Sequence, residues 1–182
     1  MLDLNADGSA VRELSEESLI EHISRLNTAE IETVILLGHV RSGKTTKLLK
    51  LIDRISALGL RVGGICQPED NGVYFARDLE TAECRWIARR ENDSVSFNPD
   101  TFDWAAQKII HARKSCDVLA VDEIGRLESL GKGHLPAVLQ PVKDEKVRLR
   151  LLAVRDDALN GVRRFLPPVC SVVRVVQMTG EK

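Results

Sequence analysis

GHVRSGKTT, residues Gly38 to Thr46, follows the apolar run TVILL (residues 33–37) and precedes a segment of regularly spaced leucines. Its first eight residues fit the pattern G-x4-G-K-[ST], in which each fixed residue type has a task around a phosphate. The glycines let the backbone curl close enough for successive N–H groups to point at the anion, Lys44 reaches the β and γ phosphates, and Thr45 offers a hydroxyl to Mg²⁺. A helix beginning after Gly43 turns its positive end toward the same anion. Glycine makes up only ~7% of average proteins, so a chance match is expected in fewer than about 1% of chains this long. The flanks also fit. TVILL is β-branched and apolar throughout, as in a strand covered on both faces. Leu48, Leu51, Ile52 and Ile55 fall on one helical stripe that Gly59 can end. Gly38, His39, Val40, Arg41, Ser42, Gly43, Lys44, Thr45 and Thr46 are therefore read together as a nucleotide-binding segment.

A second stretch, DVLAVDEIGRLE (residues 117–128), is an apolar strand ending in Asp122 and Glu123. In a parallel sheet the carboxyl ends of strands share one edge, which brings this acidic pair toward the cradle. Asp122 then holds Mg²⁺ together with Thr45, and Glu123 orients or deprotonates an attacking water. Lys44 and Glu123 are the catalytic candidates. Charge developing on the transferred phosphoryl group calls for a further cation. Arg126, three residues beyond Glu123, and Arg155, just past the run LRLLAV, are two candidates that the sequence does not separate. Arg89-Arg90 and Arg163-Arg164 are basic pairs suited either to a lid or to plain solvent exposure.

Around these motifs the chain alternates strand and helix patterns. RVGGICQ reads as a strand, and VYFARDL with ECRWIAR as a hairpin turning at Glu80 to Ala82. ARRENDSVSFNPD reads as a polar loop. Phe102, Ala105, Ala106, Ile109 and Ile110 form a helical stripe, and LRLLAVR and VVRVVQ read as further buried strands. This alternation predicts a three-layer α/β fold with a mainly parallel sheet. Before it, Leu19, Ile23 and Leu26 mark an amphipathic helix that reads as an appendage, so the chain divides into an N-terminal helical extension (1–30) and one nucleotide-binding domain (31–182).

The composition excludes several classes. The chain has 182 residues, 43% hydrophobic and 29% charged, enough for one sizeable core. With 26 Lys+Arg against 27 Asp+Glu it has no global field to draw it to nucleic acid, and no apolar run approaches the ~18 residues of a membrane span. Four cysteines without metal-ligand spacing, and an N-terminus unlike a secretory signal, point to a reducing cytoplasm. A monomer is expected, and no protein partner can be read.

The order of GHVRSGKTT, VGGICQPEDNGVYFARDLETAE and VDEIGRLE resembles the small P-loop nucleoside-triphosphatases, the family typified by the cancer-related nucleoside-triphosphatase. VDEIGRLE is close to that family's V-D-E-I-G-K-M-E signature, and the middle stretch looks like its glycine-rich strand and hairpin. The likeness covers about residues 33–176. It implies a RecA-like P-loop fold with a β-hairpin insertion and Mg²⁺-dependent hydrolysis of ATP, GTP and other triphosphates, with broad base tolerance. It assigns phosphate binding to Gly38 through Lys44, metal to Thr45 and Asp122, and water activation to Glu123. Arg41 departs from the family, standing where a glycine is usual, and so does the Gly- and Pro-rich SLGKGHLPAVLQP after Glu128. Two other uses of the same cradle remain open: a kinase offering an acceptor instead of water, and a slow nucleotide-gated binding module.

Overall fold

The computed structural model describes residues 2–4, 10–25, 31–92, 94–166 and 170–174. In chain order the elements are β1 (Leu2–Leu4), β2 (Ala10–Glu13), α1 (Glu16–Ser24), β3 (Glu32–Gly38), α2 (Lys44–Ala57), β4 (Val62–Cys66), β5 (Glu69–Asp70), β6 (Val73–Asp78), β7 (Cys84–Glu91) and β8 (Ser94–Phe97). They continue with α3 (Pro99–Ser115), β9 (Val118–Ile124), α4 (Leu135–Leu139), β10 (Leu149–Arg155), α5 (Leu159–Arg163) and β11 (Cys170–Arg174). Eleven strands join one sheet in the order β1-β2-β11-β3-β10-β9-β4-β6-β7-β8, with β5 paired to β6. From β2 to β4 every neighbouring pair is parallel; β1 at one end and β6, β7 and β8 at the other run antiparallel.

The central strands are covered on both faces, which is why they carry apolar residues without alternation. Val34 and Leu36 of β3 pack in one core with Leu48, Leu51 and Ile55 of α2 and with Leu19 and Ile23 of α1. Ile35 and Leu37, pointing the other way, join Ala105, Ile109 and Ala112 of α3, Val138 of α4 and Val162 of α5 in a second core. The stripe expected on α3 is therefore real, and its Trp104 adds to the same face. Close approach of β4 to β9 explains a glycine in the first of these strands. Gly64 has φ +118°, and a Cβ there would lie 2.1 Å from the Ala120 carbonyl oxygen. Arg113, buried under α4, donates through Nε and Nη2 to the Glu145 carboxylate at 2.9 and 2.7 Å and through Nη1 to the Ala137 carbonyl at 2.8 Å. It anchors the chain that leads into β10.

Three readings change. The polar segment after Ile87 is not loop: β7 runs on to Glu91, and β8 pairs back on it through Ala88↔Phe97 to Glu91↔Ser94. β8 does alternate, Ser94-Val95-Ser96-Phe97, but over only four residues and with all four side chains exposed, so no buried face set it apart from the polar segment around it. Asn92, at φ +51°, takes the left-handed conformation that a tight hairpin turn requires. Second, the start of the N-terminal segment is strand: β2 pairs in parallel with β11 through Val11↔Cys170 to Glu13↔Val172. Third, the helix itself is no loose appendage. Ser15 caps it by accepting from the Ser18 N–H, and Glu16 reaches both Lys47 and Arg54 of α2. Leu26 of the expected stripe, and the last three residues of VVRVVQ, lie outside the described residues.

Leu19 and Ile23 are 0% and 1% exposed, so truncation should be costly. Leu19→Ala is expected to lower stability by about 3 kcal/mol in urea unfolding, the usual range for a buried leucine. A loss of a few tenths would mean that α1 does not share the core.

Candidate nucleotide site

The cradle forms where β3 ends and α2 begins. Gly43, at φ +85°, is the residue before the helix, and no side chain caps the first turn, which leaves its N–H groups open to an anion. Arg41 also sits in the left-handed region, at φ +60°. The glycine usual at that position would hold it without strain, whereas arginine spends roughly 1 kcal/mol. Its guanidinium lies 3.8 Å from Glu69. Lys44 is 5% exposed, and its Nζ donates to the carbonyls of Gly38 at 3.1 Å and His39 at 2.6 Å. Ser42 Oγ is buried with no hydrogen-bond partner among the described residues. His39 and Val40 are exposed at the loop's crest, His39 pairing with Asp156, and Thr46 faces outward.

The acidic pair does come to this loop. Thr45 Oγ1 donates to Asp122 Oδ2 at 2.7 Å, across 77 residues of sequence. Asp122 is wholly buried, and its carboxylate also accepts from the Gln67 N–H at 3.2 Å and the Glu123 N–H at 2.9 Å. β10 lies between β3 and β9, in step with β3 from Leu149↔Glu32 to Arg155↔Gly38. Against β9 the register shifts: Leu152 faces Val121 but Val154 faces Ile124. Asp122 and Glu123 together thus oppose the single residue Ala153. Such a bulge breaks the alternation that would send adjacent side chains to opposite faces and re-aims one of them. Glu123 takes φ +58°, a left-handed conformation costing roughly 1–3 kcal/mol for a side chain of this size.

Charge and burial work against each other at this point. Burial pushes the Asp122 carboxyl above its usual range, while Thr45 and the two backbone N–H groups pull it back. Burial also raises Glu123, the charge of Asp122 raises it further, and Lys44 and Arg155 oppose the rise.

A family model described as NTPase matches residues 33–178. The chain belongs to this NTPase family. Among its relatives are proteins named nucleoside-triphosphatase THEP1. That of Korarchaeum cryptofilum is 32% identical over 116 residues, 57% of this chain and 60% of the relative's length. That of Thermofilum pendens is 26% identical over 144 residues, 72% of this chain and 79% of the relative. The match with the first of them spans less than two thirds of its length. A solution structure of a human cancer-related nucleoside triphosphatase superposes with a TM-score of 0.56 at 16% identity, covering 82% of this chain and 90% of that one. Fold is what this second likeness shows: a mixed α/β architecture with a mostly parallel central sheet.

Around the cradle of this NTPase-family chain lies a buried network that sequence reading passed over. Gln67, whose N–H holds Asp122, donates through Nε2 to His134 Nε2 at 2.7 Å. His134 stacks on Phe102 with centroids 5.4 Å apart, and burial lowers its pKa to about 4, so the ring is neutral at ordinary pH. Glu128 closes the loop after β9 by accepting from the N–H groups of Gly125 at 2.8 Å and His134 at 2.9 Å. Glu128 was legible as the last residue of VDEIGRLE; Gln67 and His134 carried no comparable signal. The two candidate cations separate: the Arg126 side chain is 82% exposed, that of Arg155 only 20%. Arg89 lies over Trp86 and near Glu91. Neither basic pair makes a hydrogen bond or ion pair with the cradle among the described residues.

The raised Glu123 carboxyl has a consequence for stability. A carboxyl whose folded pKa exceeds its ordinary 4.5 favours the folded state most when protonated, and that advantage is lost as pH rises through the folded value. In metal-free buffer, Glu123→Gln should therefore match the wild type near pH 4 and become progressively the more stable of the two toward pH 8. Parallel urea-unfolding stabilities at all pH values would show that the carboxylate is fully solvated.

Proposed function

We propose that this chain is a Mg²⁺-dependent nucleoside-triphosphate phosphatase, converting ATP, GTP and related triphosphates to the diphosphate and phosphate on a RecA-like P-loop fold. The observation that carries the reading is the 2.7 Å bond from Thr45 to Asp122, which joins the phosphate cradle to the acidic strand end beside a pre-folded Lys44. Membership of the NTPase family supports it. Residues 31–182 would carry the activity and residues 1–30 form an extension whose helix α1 packs on it. Among the described residues no helix is long and apolar enough to cross a membrane, and the protein would act as a cytoplasmic monomer.

The open N–H groups of the first α2 turn, with the backbone of the loop Gly38 to Gly43 around them, bind the β and γ phosphates, and Thr46 closes the segment at its helical end. Lys44 leaves its carbonyl partners for oxygens that carry full charge, a stronger acceptor for an ammonium. Thr45 and Asp122 are a hydroxyl and a carboxylate, the hard oxygen donors that suit Mg²⁺, which when bound supplies positive charge against the phosphate oxygens. Glu123, whose carboxyl burial and the neighbouring Asp122 raise above the usual range, takes a proton from water as its oxygen attacks the γ phosphorus. The bond from that phosphorus to the β–γ bridging oxygen breaks, its electron pair staying on the diphosphate, and the proton passes from Glu123 to solvent. The cradle contacts phosphates, so ATP, GTP, CTP and UTP should differ in kcat/KM by no more than roughly tenfold, about 1.4 kcal/mol.

Two substitutions test the assignment. Lys44→Ala should weaken triphosphate binding and abolish turnover; unchanged hydrolysis would remove the cradle from the mechanism. Glu123→Gln should lower single-turnover phosphate release by about 10² to 10⁴ while calorimetric ATP–Mg²⁺ affinity stays within a few-fold. Full activity in that variant would leave the attacking water to another group. Phosphate transfer that needs an added acceptor would make the protein a kinase instead.

A further inference from the structure

We propose that Arg155 is the cation that stabilises the charge developing on the transferred phosphoryl group, with Asp157 as the residue that orients it. The proposal deepens the phosphatase reading and rests on it. Arg155 is the last residue of β10, the strand between the cradle's strand and the acidic one. Its backbone pairs with Gly38, the first residue of the cradle, and its neighbour Val154 pairs with Ile124, next to Glu123. The side chain passes through space that Gly125 leaves free: a Cβ at Gly125 would lie 3.3 Å from Arg155 Cδ. Gly125 thus has a reason beyond its turn, since any larger residue would crowd the arginine.

The guanidinium is held by one edge. Nε donates to Asp157 Oδ1 at 3.0 Å and Nη2 to Oδ2 at 2.6 Å, a two-pronged pairing that fixes the plane of the group. Nη1, the remaining nitrogen, has no hydrogen-bond partner among the described residues. A fork pinned on one side, with donors left over on the other, is already oriented and loses little freedom when a phosphate oxygen arrives. Electrostatics agree: Asp157 keeps the guanidinium firmly charged, and Arg155 and Glu123 sense each other's charge. Arg126 also approaches Asp157, at 3.9 Å, but from an 82% exposed position where solvent screens it.

As the bond to the β–γ bridging oxygen breaks, negative charge gathers on that oxygen and on the departing phosphoryl oxygens, and Nη1–H groups stabilise it there. The cation then comes from the same chain, and full turnover needs no arginine from a partner protein.

The test uses the full chain with Arg155→Ala, Arg155→Lys, Asp157→Ala, the Arg155→Ala/Asp157→Ala double variant and Arg126→Ala. Arg155→Ala should lower kcat by about 10³, the low end for such an arginine, with ATP–Mg²⁺ affinity within a few-fold. It should also lose the tightening of ADP–Mg²⁺ binding that aluminium fluoride produces in the wild type, and regain part of its rate in added guanidinium. Arg155→Lys keeps charge and bulk but not the fork, so it should also be slow, which covers the case in which the alanine variant does not fold. Asp157→Ala should cost roughly tenfold in kcat and nothing further in the Arg155→Ala background; a merely structural aspartate would cost the same in both. Arg126→Ala should behave as wild type. Full kcat and undiminished aluminium fluoride tightening in both Arg155 variants would overturn the proposal. A wild type that binds but does not hydrolyse triphosphates would instead defeat the phosphatase reading, and the aluminium fluoride measurement would still decide for or against Arg155.

Discussion

A carboxylate with no exposed surface organises this protein. Removing an ionised group from water costs several kcal/mol unless donors replace the lost solvent. Asp122 obtains three: the Thr45 hydroxyl from α2, the Gln67 N–H just after β4, and the N–H of Glu123 on its own strand. Each comes from a different place in the sequence, so the three segments must assemble around the charge together. The loop Gly38 to Thr46, the strand end and the neighbouring strand are therefore parts of one unit.

The same unit accounts for the unusual backbone beside it. The bulge opposite Ala153 lets Asp122 turn toward Thr45 while the next residue, Glu123, is half-buried in a left-handed conformation. Strain of this kind persists only when its surroundings over-determine it. Here the surroundings are visible: the Glu123 N–H is tied to Asp122, and Glu128 ties down the loop that follows through Gly125 and His134. His134 passes the constraint back to Gln67, which closes a ring around the acidic pair. Because the imidazole is buried, which lowers its pKa to about 4, it stays neutral and keeps its nitrogen acceptor for Gln67.

The asymmetry of the sheet has a functional side as well. Its parallel centre places several strand ends, and the loops that follow them, along one edge, where cradle, acidic pair and Arg155 meet. Its antiparallel end, β6 to β8, carries exposed apolar and basic side chains such as Trp86, Phe97 and Arg89 and, among the described residues, takes no part in that edge's hydrogen bonds.

Local patterns determined a good deal. The glycine spacing and lysine of GHVRSGKTT, the apolar runs within β3, β9 and β10, and the stripes of α2 and α3 each follow from short-range rules of backbone freedom and helix or strand period, so they were legible in the sequence. Other features needed the folded chain. β2 is a strand because β11 presents a parallel edge to it from about 160 residues away. β8 alternates over only four residues, all exposed, and its pairing with β7 is what defines it. Alternation by itself would place Asp122 and Glu123 on opposite faces; a register shift against β10 brings both to the site. Arg126 and Arg155 look alike as letters, and they part because β10 inserts between the two motif strands and Gly125 leaves space for the Arg155 side chain, which is 20% exposed against 82% for Arg126. In each case the deciding contact joins residues far apart in sequence, where no local period can carry the information.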